Sequence, residues 1–153
     1  MKSIIVIAPG EHLVHVTFSS YKLQEETMTK HGNFCWNELM TPDVAAAKAF
    51  YGAALGWTFT DADMGENGIY ALAFVEGQET PVAGLFEWPE SQPGSRDWFP
   101  YVAVDDIDAT VGKVEPAGGK VLRGPWAVPG VGKIAIVLDA VGSSIGYMEA
   151  EPM

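Results

Sequence analysis

The residues best equipped for chemistry lie on a few strand-like segments. In Phe34-Cys35-Trp36-Asn37-Glu38-Leu39, alternation puts Phe34, Trp36 and Glu38 on one face and Cys35, Asn37 and Leu39 on the other. A carboxylate beside an indole suits a cationic guest. The acid supplies charge and the ring a negative face, worth roughly 0.5–2 kcal/mol. Glu38 is also a general-base candidate if its surroundings raise its pKa. Otherwise it is an ordinary strand-end carboxylate bonded to backbone or water. The same alternation groups Phe99 with Tyr101 and Ala103, Val82 with Gly84 and Phe86, and Ser144 with Gly146 and Met148.

Other reactive groups are weaker candidates. His12 and His15 have metal-binding spacing only on a helix, and Leu13–Phe18 favours a strand, which sends the rings to opposite faces. His31 precedes the first clear strand and reads as exposed. Cys35 is the single cysteine, which excludes an intrachain disulfide and a cysteine-cluster zinc site. It is expected to face the helix layer as a small apolar residue. No GxxxxGK[ST] or GxGxxG follows a strand.

The chain of 153 residues fits one domain, or two half-size modules sharing a core. Nine basic residues oppose 20 acidic ones, a net charge of −11. That balance argues against nucleic acid and against an anionic membrane surface as partners. Cationic or neutral small molecules suit the field better. Pro9-Gly10-Glu11-His12 cuts the apolar start short of a secretory signal, so the expected location is cytoplasmic.

These segments must be held by regular elements. Asn33–Leu39 reads as a strand, and Thr41-Pro42-Asp43 as a helix start with Thr41 as N-cap. Val44, Ala47, Tyr51 and Ala54 form an apolar stripe, and Gly56 stops the helix. Strands are expected at Trp57–Thr60, Ile69–Val75 and Pro81–Phe86. After the polar connector Glu87–Asp97 the order returns. Trp98–Val104 is a strand, and Asp105 or Asp106 caps a short helix that ends at Gly118-Gly119. Lys120–Arg123, Gly132–Leu138 and Ser144–Glu149 are strands. At an offset of 63, Asp43 falls on Asp106 and Gly56 on Gly119; at 62, Gly84 falls on Gly146. The chain is therefore a βαβββ unit twice over. Residues 1–31 are an N-terminal extension, either an added strand or a flexible arm.

This pattern resembles the vicinal oxygen chelate (VOC) superfamily of glyoxalase I, extradiol dioxygenases and bleomycin-resistance proteins, and its glyoxalase-like subgroup. The stretches that carry the resemblance include Trp36-Asn37-Glu38-Leu39-Met40-Thr41-Pro42-Asp43, Ala49-Phe50-Tyr51, Leu55-Gly56-Trp57 and Trp98-Phe99-Pro100-Tyr101-Val102-Ala103-Val104-Asp105-Asp106. Gly118-Gly119-Lys120-Val121 and Val128-Pro129-Gly130 add to them. The resemblance implies an α+β fold in which two modules, 32–90 and 97–150, form one domain with an incurved mixed sheet and outer helices. It also implies a ligand cavity on the concave side. Metal-using members place ligands at the positions of Trp36, Phe99, Gly84 and Gly146, none of which can bind a divalent metal. No metal or other cofactor is expected. The implied wall is Trp36, Glu38, Phe99, Tyr101, Phe86 and Met148, with Tyr70 and Trp126 at the mouth and room above the two glycines.

The leading expectation is a metal-independent binder of a small aromatic or cationic compound, working as a homodimer. One alternative is a glyoxalase-like lyase or isomerase that uses Glu38 as acid or base, or an atypical metal held by Glu38, His31 or Glu149. Another is a protein-interaction module whose cavity is filled by its own side chains.

Overall fold

The computed structural model describes residues 2–6, 14–18, 30–63, 68–89, 91, 96–128 and 131–151. Within the first 31 residues, β1 (Lys2–Val6) and β2 (Val14–Phe18) pair antiparallel as a sheet of their own. His12 lies outside the described residues, and His15 falls within β2, as its strand-forming neighbours predict.

The first repeat contributes β3 (Phe34–Thr41), α1 (Val44–Leu55), β4 (Thr58–Asp63), β5 (Ile69–Phe74) and β6 (Ala83–Glu87). The second contributes β7 (Trp98–Ala103), α2 (Ile107–Val111), β8 (Lys120–Val128), β9 (Gly132–Leu138) and β10 (Ser144–Ala150). These eight strands form one open mixed sheet in the order β4-β5-β6-β3-β7-β10-β9-β8. Each repeat supplies one four-stranded half, and β3 meets β7 antiparallel at the seam. Within each half the first and last strands run parallel, β3 with β6 and β7 with β10. Such pairs need a crossover connection, which each helix provides.

The repeat extends to the helix caps. Asp43 and Asp106 both accept a hydrogen bond from the backbone N–H three residues on, Ala46 and Ala109, each at 2.8 Å. The cap of α1 is thus Asp43 rather than Thr41, whose hydroxyl instead accepts from the Asp43 N–H at 3.2 Å. Gly56 ends α1 in the left-handed conformation, at φ 71°. The second helix stops earlier than its sequence implies. Past Val111 the chain tightens into i→i−3 bonds, Lys113 to Thr110 and Val114 to Val111, and turns out at Gly118. Pro116, which has no N–H to donate, lies within this stretch.

Both helices pack on one face of the sheet. Val44, Ala47 and Tyr51 of α1 cover Leu39, Ala71, Ala73, Ala83 and Leu85, while Ala54 of the expected stripe is exposed. Ile107 and Val111 of α2 pack near Ala135 and Tyr147. The opposite, inner face carries Trp36, Glu38, Tyr70, Phe86, Phe99, Tyr101 and Met148, by the alternation and register of their strands. Leu72 and Tyr70 are buried there.

Candidate functional site

At the seam, Trp36 stands opposite Tyr101 and Glu38 opposite Phe99. The repeat makes these positions equivalent in pairs, Trp36 with Phe99 and Glu38 with Tyr101. The register therefore places a carboxylate and a phenol as near neighbours on one face. The Tyr101 hydroxyl donates to one oxygen of Glu38 at 2.9 Å. The Tyr70 hydroxyl, reaching across from β5, donates to the other at 2.8 Å. The Trp36 indole N–H donates in turn to the Tyr70 oxygen at 3.2 Å. Phe86 stacks on Tyr70 with ring centres 6.3 Å apart, and Phe99 meets Tyr101 edge-on at 5.2 Å.

This setting acts on Glu38 in two opposed ways. Burial among rings raises its pKa, and the donors Tyr70, Tyr101 and Trp36 pull it down. Burial is the larger effect, so the net direction is upward. Burial and the adjacent Glu38 charge push both phenols well above the ordinary tyrosine range, so they remain donors. The Glu38 residue as a whole is of intermediate exposure, while its carboxylate is held between the two phenols.

The expected wall residues share the inner face, with changes of role. Tyr70, expected at the mouth, is buried and bonded to Glu38. Trp126 stands on the outermost strand β8, opposite Ile134. Gly84 and Gly146 do not leave room. A Cβ at Gly84 would overlap the Tyr70 hydroxyl, and one at Gly146 the ring of Tyr101. A register irregularity between Phe34 and Trp36 also changes the faces at the start of β3. Phe34, expected inward, is 63% exposed. Cys35, expected under the helices, packs with Tyr101 and Ala103 on the inner face.

Several groups do not join the site. His31 is exposed and accepts from the Asp105 N–H at 3.2 Å. Glu149 accepts from the Ile107 N–H at 2.7 Å, at the start of α2. Neither approaches Glu38 as a shared metal site would require. A cleft of about 340 Å³ lined by Asn37, Trp57, Val82, Ala83 and Trp98 lies on the helix side, away from Glu38. Two inner-face features escaped sequence reasoning. The Trp88 indole N–H is buried with no hydrogen-bond partner among the described residues. Arg123 lies over the Trp126 ring at 3.7 Å.

The fold and this register define the class. The chain belongs to the Glyoxalase/Bleomycin resistance protein/Dioxygenase superfamily, whose family model matches residues 30–146. Among its relatives is the Mycobacterium tuberculosis protein named "Putative glyoxylase CFP32", 34% identical over 124 residues, 79% of this chain and 47% of that protein. Another is the "Anthracycline biosynthesis protein DnrV" of Streptomyces peucetius, 33% identical over 120 residues, 71% of this chain and 44% of that one. The chain thus spans about half the length of the curated relatives it matches. Solved structures with the same fold include hypothetical protein BH1468 from Bacillus halodurans, at TM-score 0.57 and 18% identity over 81% of this chain and 98% of that one. Methylmalonyl-CoA epimerase from Mycobacterium tuberculosis matches at TM-score 0.54 and 19% identity, over 79% of this chain and 89% of that one.

At the four positions where the family resemblance implies metal ligands, the residues present do not fit an ion. Position 36 presents an indole N–H donor and position 99 a phenyl ring. The space over Gly84 and Gly146 is taken by Tyr70 and Tyr101. Among the described residues no three His, Cys, Asp or Glu side chains gather closely enough to hold an ion. Each oxygen of Glu38 accepts from one phenol.

Proposed function

We propose that this protein binds a small aromatic or cationic molecule on the inner face of its sheet, through aromatic side chains and Glu38 and without a metal ion. The observation that carries this reading is the carboxylate of Glu38, set among Trp36, Tyr70, Phe99 and Tyr101 with both oxygens already oriented by phenols. Holding a carboxylate among rings costs stability. Such expense is characteristic of a functional site. Each carboxylate oxygen retains a lone pair for a guest, and the neighbouring rings supply surface for stacking or cation–π contact. The relative named for anthracycline biosynthesis supports a planar aromatic guest.

The test is a thermal-shift and NMR titration series with aromatic probes, neutral and cationic, such as quinoline and N-methylquinolinium. Binding should raise the melting temperature and shift the Trp36 indole resonance. Trp36→Ala should abolish it, and Glu38→Gln should weaken the cation selectively. A folded protein whose indole signals ignore every probe would overturn the reading.

A second reading rests on the upward shift of Glu38, which is the direction a general acid or base needs near neutral pH. In that case the protein is a lyase or isomerase in which Glu38 moves a proton. Glu38→Gln would then abolish turnover of a bound substrate while leaving its binding intact.

A further inference from the structure

The inner face carries a second charged group that simple alternation hides. β8 has two register irregularities, one between Val121 and Arg123 and one between Arg123 and Trp126. Each places an extra residue in β8 against β9 and flips the side chains that follow. Arg123 therefore stands opposite Ile136, and Trp126 opposite Ile134. Both isoleucines pack with Tyr101 on the inner face, so Arg123 and Trp126 share that face. In an unbulged strand, residues 123 and 126 would point to opposite sides.

The two side chains are also organised with respect to each other. The Arg123 guanidinium lies 3.7 Å from the centre of the Trp126 ring. Stacking of this kind fixes the plane of the guanidinium and leaves its N–H edge free. Lys48 and Lys133 are paired with Asp61 and Asp108, whereas Arg123 has no carboxylate partner among the described residues. Its positive charge is felt at the Tyr101 phenol, on the same face. In a chain of net charge −11, it is an oriented guanidinium beside a ring-lined face, without a carboxylate partner among the described residues.

We infer that Arg123, held flat on Trp126, is the subsite for an oxyanion carried by an aromatic ligand whose ring lies toward Tyr101 and Phe99. The inference rests on the small-molecule reading of the inner face and adds the group that gives the ligand its direction. The ligand's carboxylate, sulfonate or phosphate meets the guanidinium edge. A donor or cationic group at its other end meets Glu38.

The experiment uses two probes of nearly equal shape, 2-naphthoate and its neutral counterpart 2-naphthamide. Each is titrated into the protein and followed through the Trp126 indole N–H resonance. The wild type should bind naphthoate roughly fivefold more tightly than the amide at low salt, against its own negative net charge. Added salt should erode that preference. Arg123→Gln should erase it while leaving the amide affinity unchanged, and Arg123→Lys should retain part of it. Equal affinities in the wild type, or equal weakening of both probes by Arg123→Gln, would overturn the subsite while leaving the small-molecule reading in place. If neither probe binds the folded protein, the subsite fails; the small-molecule reading fails with it only if quinoline and N-methylquinolinium are also ignored.

Discussion

Tyr70 packs directly over Gly84, so closely that any side chain at position 84 would overlap its hydroxyl. Tyr101 stands in the same relation to Gly146. The two glycines occupy corresponding places in β6 and β10, next to Glu38 and Tyr101 on the parallel partner strands. What the absent side chains provide is the space in which two phenols reach the carboxylate of Glu38. Positions at which the family resemblance implies metal ligands thus give room to a hydrogen-bond network here.

Gly84→Ala should therefore destabilise the protein by about 1–3 kcal/mol, because the new methyl group must displace a buried ring. Chemical denaturation would measure the loss. The cost should shrink in a Tyr70→Leu background, where the displaced group is gone, giving a coupling energy in a double-mutant cycle. An equal cost in both backgrounds would mean that the overlap is not with Tyr70.

The donors that hold Glu38 also lower its pKa against the larger effect of burial. Tyr101→Phe removes one of them without changing ring volume. The pKa of Glu38, read from its side-chain carboxyl carbon by NMR, should then rise further. Tyr70→Phe should act in the same direction. A fall in either variant would mean that the phenols do not donate to the carboxylate.

Stability should follow pH with a definite sign. The folded protein holds the Glu38 proton more tightly than the unfolded chain, whose glutamate has the ordinary value of 4.5. The stabilisation from the protonated form is complete below that value and is lost as pH rises through the folded pKa. Relative to Glu38→Gln, the wild type should therefore lose stability across this window and level off above it. Melting temperatures of the two proteins over a pH series would show this. A gap that stays constant, or moves in the opposite sense, would contradict the raised pKa.

Much of this architecture is visible in the residue order, because its signals are local. The cap at Asp106, the stop at Gly56 and the repeated strand order need only neighbours in the chain, whereas the first helix is capped by Asp43 and not by Thr41, which the residue order favours. The helix-face residues Leu39 and Leu85 also follow from simple alternation. What alternation misreads are the irregularities. The bulge after Phe34 turns Cys35 inward, and those in β8 bring Arg123 to the face of Trp126. For β8 a signal existed, since Gly124-Pro125 interrupts the strand, and such residues mark bulges. The contact of Tyr70 with Glu38 had no local signal. It depends on β5 lying beside β6 and on a glycine in between.

The inward turn of Cys35 has a chemical consequence. Burial beside Tyr101 raises its thiol pKa from 9.0 to about 11, with a backbone hydrogen bond acting weakly the other way. Its Sγ lies 3.5 Å from the Tyr101 carbonyl oxygen, to which it donates. At pH 8 the reactive thiolate should be about a hundredfold scarcer in the folded protein than in the unfolded chain. Iodoacetamide should accordingly modify Cys35 slowly in native buffer and readily in denaturant, with mass spectrometry counting the adduct. Bound aromatic ligand, by covering the face on which Cys35 packs, should slow the native reaction further. Native modification as rapid as that of the denatured chain would show the thiol to be exposed, and would remove the bulge-driven inward turn on which this placement depends.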